Sequence, residues 1–363
     1  MEFGYFTLSD NRYPDNPRTS EQFLLEIRDQ AIYAEELGMH SAWIGEHHFN
    51  RRGCVPVPGL TLANIAASTK RIRLGPAVVV LNIHHPIHVA EEWGALDQLS
   101  GGRVDFACGR GYDAHEFVPF GADFQASAEQ FTEAVQLLTK CWTETEPFTF
   151  DGEFYSAPDP IVVDPKPMQD PFRPYMGSFS SFSMEIAADL DWNLLQAPFA
   201  ATMVFGGLEQ AVQAYRDICE KKEKEARKVK CSYFIHMGTS DADKDYALAR
   251  LIDYFTLSGL RKKSTQGGAV AADHAVLPRY RQSAGRSEKR RLRSQLHPIG
   301  RGAGNHRSIE EGRRLRHRRG HLVFQSRRQA RCHGARADAA LHGRGGARLR
   351  GQPHRCPGRR INN

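Results

Sequence analysis

Short apolar segments alternate with longer amphipathic segments along residues 1–270. The short segments are rich in β-branched, aromatic and small apolar residues, which favours strands. They are Glu2–Leu8, Ser41–Glu46, Arg73–Leu81, Val104–Cys108, Arg173–Phe179, Trp192–Ala197 and Cys231–Met237. The longer segments repeat apolar residues at three- and four-residue steps, which is typical of helices. They are Ser20–Leu37, Gly59–Ser68, Ile87–Leu99, Ala126–Thr143, Met184–Leu190, Leu208–Lys224 and Ala242–Leu257.

This alternation predicts an α/β fold with a parallel sheet and helices outside it. The closure that we expect is a (β/α)8 TIM-type barrel whose eighth β/α unit is missing or garbled. A doubly wound open sheet is the alternative. In the first predicted helix, Ser20 is a candidate N-cap and Gly38 follows the end.

The amino-acid composition changes near residue 268. Residues 271–363 hold 23 Arg and one Lys against five acidic residues. The net charge of +7 therefore comes from this segment, and residues 1–270 carry a net negative charge. We therefore divide the chain into a barrel domain, 1–268, and an Arg/Gly/His-rich tail, 269–363. Three origins compete for the tail: an RNA-binding segment, a disordered linker, or translation in a shifted reading frame. Scarce Lys and only two aromatic residues, Tyr280 and Phe324, favour the shifted frame.

Several classes of protein are disfavoured by the composition. No apolar run approaches the ~20 residues that cross a bilayer, and the N-terminus lacks the basic and apolar regions of a signal peptide. The seven cysteines form no CxxC motif, which disfavours a zinc knuckle or a disulfide scaffold. These features predict a cytoplasmic protein.

The tetrapeptide Glu46-His47-His48-Phe49 directly follows a predicted strand. Barrel enzymes keep their catalytic groups at the carboxyl ends of strands. Because side chains alternate along a strand, one of the two histidines is expected to face the barrel mouth. It would act as an acid, a base or a hydrogen-bond donor, or it would simply be held by backbone groups.

A second group of histidines lies at His84, His85 and His88. His84 and His88 have the spacing of helical metal ligands, but Pro86 at the helix start leaves His84 outside the helix. We therefore expect no metal site. Asp97, farther along this helix, is interpreted as a solvated charge.

Two elements suggest an anion site. Gly109-Arg110-Gly111 follows a strand, so that the backbone can approach a ligand while the guanidinium pairs with an anion. The serine-rich turn Ser178–Ser183 leads into a helix, whose N-terminus favours negative charge; ordinary capping by Ser183 is the alternative. Together they predict a phosphate site at the barrel mouth. Cys108, within an apolar strand, is interpreted as a core residue.

These motifs, in this order, resemble the bacterial luciferase family of flavin-dependent monooxygenases. The matching stretches are Met1–Leu8, Glu46–Phe49, Leu74–Leu81 followed by His85-Pro86, Leu96–Arg103, and Gly109–Gly111 with Phe120-Gly121. A looser similarity extends from Tyr175 to about residue 260.

The resemblance implies a (β/α)8 barrel that uses reduced FMN, delivered by a separate NAD(P)H:flavin reductase, to activate O2. His47 resembles the catalytic histidine beside the flavin C4a-peroxide, and Arg110 resembles the phosphate-binding arginine. Ser180 and Ser183 resemble hydroxyl residues that hold the FMN phosphate. The Ala77-Val78 peptide matches a non-proline cis bond under the flavin ring.

Two positions depart from the family pattern. Phe179 stands where bacterial luciferase has a carboxylate near the phosphate, and no eighth strand and helix are recognisable after Gly268. Unpaired edges on the first and seventh strands would then favour a dimer or aggregation.

The expected function is monooxygenation of a small organic substrate, with specificity residing in loops such as Arg51–Pro58 and Tyr112–Phe117. A deazaflavin F420-dependent hydride-transfer enzyme and an inactive flavin-binding barrel are alternatives within the same fold. An RNA-binding protein acting through its basic tail is the alternative from another class, and the lack of stacking aromatics disfavours it.

Overall fold

The computed structural model describes residues 1–8, 11, 16–49 and 55–257. In these ranges the strands are β1 Gly4–Thr7, β2 Ser41–Ile44, β3 Arg73–Pro76, β4 Val79–Val80, β5 Ala107–Gly109, β6 Phe148–Asp151, β7 Ser156–Ile161, β8 Tyr175–Ser178, β9 Asn193–Gln196 and β10 Val229–Cys231. The helices are α1 Ser20–Glu36, α2 Pro58–Ser68, α3 Pro86–Ser100, α4 Ala114–Phe117, α5 Ser127–Thr143, α6 Ser181–Asp189, α7 Pro198–Phe205, α8 Leu208–Lys221 and α9 Asp241–Leu257. The predicted tail, 269–363, and the expected eighth β/α unit lie outside the described residues.

The parallel strands follow one another in chain order. One group runs β1-β2-β3 and the other β4-β5-β8-β9-β10, and a parallel bridge between Leu74 and Val104 connects them. A doubly wound sheet would reverse its strand order at a switch point, and no reversal occurs among the described strands. The predicted α/β fold with barrel-type strand order is therefore confirmed, and the doubly wound alternative is wrong.

Some element predictions need correction. The predicted strand Arg73–Leu81 is two strands, with a cis peptide bond between Ala77 and Val78 at the break. The predicted strand Cys231–Met237 instead spans Val229–Cys231, centred on Lys230, whose ammonium group is paired with Asp105. The antiparallel β6–β7 hairpin and the short helix α7 were not predicted.

Helix α1 forms for the predicted reason but begins with a different cap. Its buried face consists of Phe23, Ile27, Ala31 and Ala34, spaced as the helical period requires. The N-cap is Thr19 rather than Ser20, because Thr19 and Gln22 form a reciprocal capping box. Gly38, just past the helix end, has a φ of +78°, a conformation that glycine adopts without strain.

The core lies on both sides of the parallel sheet. Between sheet and helices, a large cluster of apolar side chains surrounds residues such as Trp93, Phe106 and Phe131. On the inner face, Trp43, Ala107 and Tyr175 form a separate small cluster. Since the latter residues point away from the helices, they fill the space that the barrel wall encloses.

Asp97 corrects the interpretation of α3 as a helix with solvated charges. Its carboxylate is fully buried and accepts hydrogen bonds from the backbone of Val104, Met168 and Gln169. It therefore fixes the chain on both sides of β5. None of the described helices is long and apolar enough to cross a bilayer.

Candidate active site

His47 lies just after β2, with a mostly buried side chain. Its backbone N–H donates to the carbonyl of Val55 (3.2 Å), and its Nδ1 lies 3.5 Å from Oε1 of Glu116. This arrangement orients one ring nitrogen toward a carboxylate and leaves Nε2 as the nitrogen that can act on a bound molecule. A positioned imidazole beside a carboxylate is the usual arrangement for proton transfer near neutral pH.

Glu116 is a site residue that the sequence reasoning missed. It lies on the short helix α4 after β5, is 4% exposed, and accepts a hydrogen bond from the backbone N–H of His48 (2.9 Å). One carboxylate thus holds both histidines of the motif from a segment 68 residues away. In the sequence, the only sign of Glu116 was an acidic residue within Tyr112–Phe117, a loop expected to determine substrate specificity.

Glu46 connects two further histidines. Its Oε1 accepts hydrogen bonds from Nε2 of His48 (2.9 Å) and Nε2 of His84 (2.8 Å), and its Oε2 accepts one from the Val80 backbone (3.2 Å). These ligand types would suit a transition-metal ion, and the ligand atoms lie within 4.8 Å of one another. Nε2 of each imidazole donates to the Glu46 carboxylate, which joins the three side chains into one cluster.

The contacts between Glu46 and the histidines shift the pKa values of Glu46 and His84. Burial alone would raise the pKa of Glu46, but the hydrogen bonds and charges of His48 and His84 hold it below its ordinary value. Burial acts to lower the pKa of His84, but the hydrogen bond to Glu46 and the charges of Glu46 and Glu92 raise it above its ordinary value. The cluster therefore favours a charged carboxylate beside a readily protonated imidazole.

The segment of His84 and His85 is organised by Pro86. Pro86 is the first residue of α3, so His84 lies outside the helix, as predicted. His85 is the N-cap, and its ring accepts a hydrogen bond from the backbone of Ile87 (3.3 Å). His88 is 75% exposed and takes no part in the buried cluster.

The Ala77–Val78 peptide bond is cis, as the resemblance implied. Both residues pack against the inner cluster of Trp43, Ala107 and Tyr175. Glycines on the two next strands make room for Val78: a Cβ atom at Gly109 or Gly177 would lie 2.9 Å from a Val78 methyl group. Neither glycine was predicted to have this role.

Arg110 and the serine turn lie at the same edge of the sheet. β5 and β8 are adjacent and parallel, so their carboxyl ends point the same way. Arg110 follows β5 and donates to Oγ of Ser127 (3.1 Å), a buried residue at the start of α5. Its guanidinium is thus anchored at the carboxyl edge, where the sequence placed an anion site.

The serine turn begins helix α6. Ser180 is the N-cap, and it makes no side-chain capping hydrogen bond. Ser183 lies inside the first turn, and its Oγ is within hydrogen-bond distance of Oγ of Ser178 (2.9 Å) and of the Ser180 carbonyl oxygen (3.0 Å). Capping by Ser183 is therefore wrong, and the first-turn amides of α6 lack a side-chain cap.

Phe179, the departure from the family pattern, belongs to an aromatic group at this edge. Its ring centroid lies 5.8 Å from that of Tyr112 and 5.8 Å from that of Phe199. Cys108, by contrast, is fully buried in the main core, and burial raises the pKa of its thiol. A buried, protonated thiol is a poor nucleophile, which agrees with its interpretation as a core residue.

Comparison with known proteins adds a family and several relatives. The family model for luciferase-like monooxygenases matches residues 1–321, which runs past the boundary predicted at residue 268. The protein y4vJ of Sinorhizobium fredii is 33% identical over 210 residues, 58% of this chain and 57% of that one. The oxygenase component of flavin-dependent trigonelline monooxygenase from Acinetobacter baylyi is 28% identical over 236 residues, 64% of each chain. An F420-dependent glucose-6-phosphate dehydrogenase of Kineococcus radiotolerans is 34% identical over 154 residues, 40% of this chain and 45% of that one.

The chain spans less than two thirds of the length of these curated relatives.

Solved structures show the same fold. The monooxygenase RslO1 of Streptomyces bottropensis superposes with a TM-score of 0.65 at 23% identity, covering 81% of this chain and 83% of that one. The oxygenating constituent of 3,6-diketocamphane monooxygenase from Pseudomonas putida, in complex with FMN, has a TM-score of 0.60 at 18% identity, covering 84% and 82%. An F420-dependent secondary alcohol dehydrogenase has a TM-score of 0.61 at 18% identity, covering 87% and 89%.

Proposed function

Because the chain belongs to the luciferase-like monooxygenase family, we propose that it is a flavin-dependent monooxygenase that takes reduced FMN and O2 to oxygenate a small organic substrate. The observation that supports this proposal is that three elements each follow the carboxyl end of a parallel strand. These elements are the His47–Glu116 pair, the anchored Arg110 and the uncapped start of α6.

The donor set fits a phosphorylated cofactor. A guanidinium, a free N-cap hydroxyl and the first-turn amides of a helix are the groups that bind a phosphate dianion. Arg110 and Ser180 would hold the phosphate directly, and Ser183 would keep the turn in place through its bond to Ser178.

An apolar surface lies beside this anion site. Ala77 and Val78 pack with Trp43, Ala107 and Tyr175 on the inner face of the sheet. A flat aromatic ring system would lie on such a surface and be shielded from water. The glycines that flank Val78 allow this surface to be formed without a clash.

When bound, reduced FMN supplies the reaction with O2, and the chain supplies position and a proton. His47 holds or releases that proton at Nε2, because its Nδ1 faces the Glu116 carboxylate. Glu116 also fixes the backbone that follows His47 through the His48 amide. Because the apolar surface excludes water, transfer of oxygen to the organic substrate is favoured over release of that oxygen without product formation.

An F420-dependent hydride-transfer enzyme is the second candidate, since the relatives include such enzymes. Its cofactor also carries a phosphate group and an apolar ring system, so the same residues would serve it. We favour FMN because of the double histidine in Glu46–Phe49. The oxygenase-component relative also suggests that a separate NAD(P)H:flavin reductase delivers the reduced cofactor.

The two candidates differ in what the full chain does with each reduced cofactor. Photoreduced FMN and reduced F420 would be titrated anaerobically, and then O2 and a substrate panel of aldehydes, terpenes, alkanes and amines would be added. We expect tight binding of reduced FMN and products heavier by one oxygen atom. Substrate reduction with F420 in the absence of O2 would replace the proposal with the second candidate, and binding of neither cofactor would contradict both.

A further inference from the structure

Gln196 is a buried amide with no partner. It is the last residue of β9 and is 1% exposed, yet neither Oε1 nor Nε2 has a hydrogen-bond partner. Buried side-chain amides are nearly always satisfied, so an amide with both its donor and its acceptor free needs an explanation. A ligand that offers both an acceptor and a donor would provide one.

The strand register shows which way this amide faces. Gln196 pairs with Ser178 of the parallel strand β8, and residues paired in register project from the same face of a sheet. The preceding residue, Leu195, packs on the inner face beside Trp43 and Tyr175. Because side chains alternate, Gln196 projects to the opposite face, on which Ser178 is bonded to Ser183 of α6.

That face is where α6 begins. The helix has nine residues, packs against both β8 and β9, and has no side-chain cap at Ser180. Its first-turn amides and its dipole favour an anion. A second, independent feature, the buried and unpaired amide of Gln196, lies on this same face, at the last residue of the strand next to β8.

We propose that Gln196 is a cofactor-positioning residue that recognises the phosphate end of the flavin. Its Nε2 donates to a phosphate oxygen, and its Oε1 accepts from a hydroxyl of the adjoining ribityl chain. Both missing partners are thus supplied by one group, the phosphate ester of a polyol. This inference rests on the proposed function, because it assumes that a phosphorylated flavin is the ligand.

The test compares FMN with riboflavin, which lacks the phosphate. Dissociation constants would be measured by flavin fluorescence for the full chain and for Gln196→Leu, Gln196→Glu and Gln213→Leu. Gln213, on α8, is exposed and bonded only to the neighbouring turn, so it is the matched control. We expect Gln196→Leu to weaken FMN binding by about 10- to 150-fold, the range for a lost charge-assisted hydrogen bond. Gln196→Glu should weaken it more, because a carboxylate repels the phosphate.

Riboflavin keeps the ribityl hydroxyl but lacks the phosphate, so its binding should fall less than that of FMN in both variants, and Gln213→Leu should match wild type. The apo form of Gln196→Leu should melt no lower than wild type, since an unpaired buried amide is replaced by an apolar group of similar size. Equal losses for FMN and riboflavin, or unchanged FMN affinity in both Gln196 variants, would overturn the assignment. If wild type binds FMN no more tightly than riboflavin, the proposed phosphate site fails, and this inference fails with it.

Discussion

The two ends of the parallel strands both carry buried charge, but in different arrangements. At the amino end, Asp105 accepts from Lys230 (2.6 Å) and Arg73 (2.7 Å). At the carboxyl end, Glu46 accepts from two histidines, and nearby His47 faces Glu116. The first cluster pairs a carboxylate with an ammonium and a guanidinium group, whereas the second pairs carboxylates with imidazoles.

The amino-end cluster is a closed structural unit. The ammonium group of Lys230 also lies over the rings of Trp43 and Tyr175, 4.8 Å from each centroid. Burial would raise the pKa of Asp105, but Lys230 and Arg73 hold it below its ordinary value. Every charge here has its partner, so this cluster stabilises the barrel wall and leaves nothing for a ligand.

The carboxyl end keeps binding capacity. The first turn of α6 lacks a side-chain cap, and the amide of Gln196 has no partner. Barrel folds place conserved function at this end and stability at the other. The contrast is therefore between a closed cluster of paired charges at the amino end and, at the carboxyl end, a helix start without a side-chain cap and an amide without a partner.

The largest expected effect is that of His47→Gln on catalysis. Product formation from photoreduced FMN and O2 should fall by about 10²- to 10⁴-fold, the range for a positioned acid–base group. FMN affinity should be retained, and the free energy of unfolding should change by less than about 1 kcal/mol. His88→Gln, at an exposed position, is the control. Full activity of His47→Gln would remove this residue from the chemistry, and failure to fold would indicate a structural role.

Asp105→Asn should act on stability instead. Removing the carboxylate leaves Lys230 and Arg73 without their shared partner, and we expect a loss of about 2–3 kcal/mol in urea unfolding, less than for a fully dry pair. Asp191→Asn is the matched control, since Asp191 also pairs with two arginines but is 44% exposed. FMN affinity should not change in either variant. If Asp105→Asn and Asp191→Asn lose equal unfolding free energy, burial of the amino-end cluster does not add to its contribution to stability.

The smallest expected effect is the pH dependence of His84→Gln. Because the pKa of His84 is raised in the folded state, protonated His84 stabilises the fold. This contribution to the free energy of unfolding is complete below the ordinary pKa of 6.5 and disappears as the pH rises through the raised pKa. The difference in unfolding free energy between wild type and His84→Gln should therefore be largest near pH 6 and shrink toward pH 9, staying below about 1 kcal/mol. Urea unfolding at several pH values measures it, and a difference that grows with pH would contradict the Glu46–His84 pairing.

The sequence predicted most of the fold because its information is local. The apolar period of α1 and the position of Pro86 each specify an element without reference to distant residues. Prediction failed where tertiary contacts override local preference. Lys230 occupies the middle of β10 because Asp105 lies opposite it, and Asp97 is buried because distant backbone amides surround it.

The candidate site was predictable in its residue types but not in its pairings. His47, Arg110 and the serine turn follow strands and could be found from the pattern. Glu116 could not, because its role depends on the fold of a loop 68 residues beyond His48. Gln196 carries no motif at all, and only its burial without a partner reveals it.

The most direct test of the central claim is the FMN dissociation constant of Arg110→Ala beside that of Arg173→Ala. Arg173 precedes β8 at the opposite end of the wall and makes an exposed ion pair with Asp191. If the carboxyl end holds the phosphate, Arg110→Ala should lose about 1.5–3 kcal/mol of FMN binding, the range for a charge-assisted bond, while Arg173→Ala binds FMN as wild type does. Equal affinities for both variants, whether unchanged or equally reduced, would contradict the assignment of the cofactor to the carboxyl end.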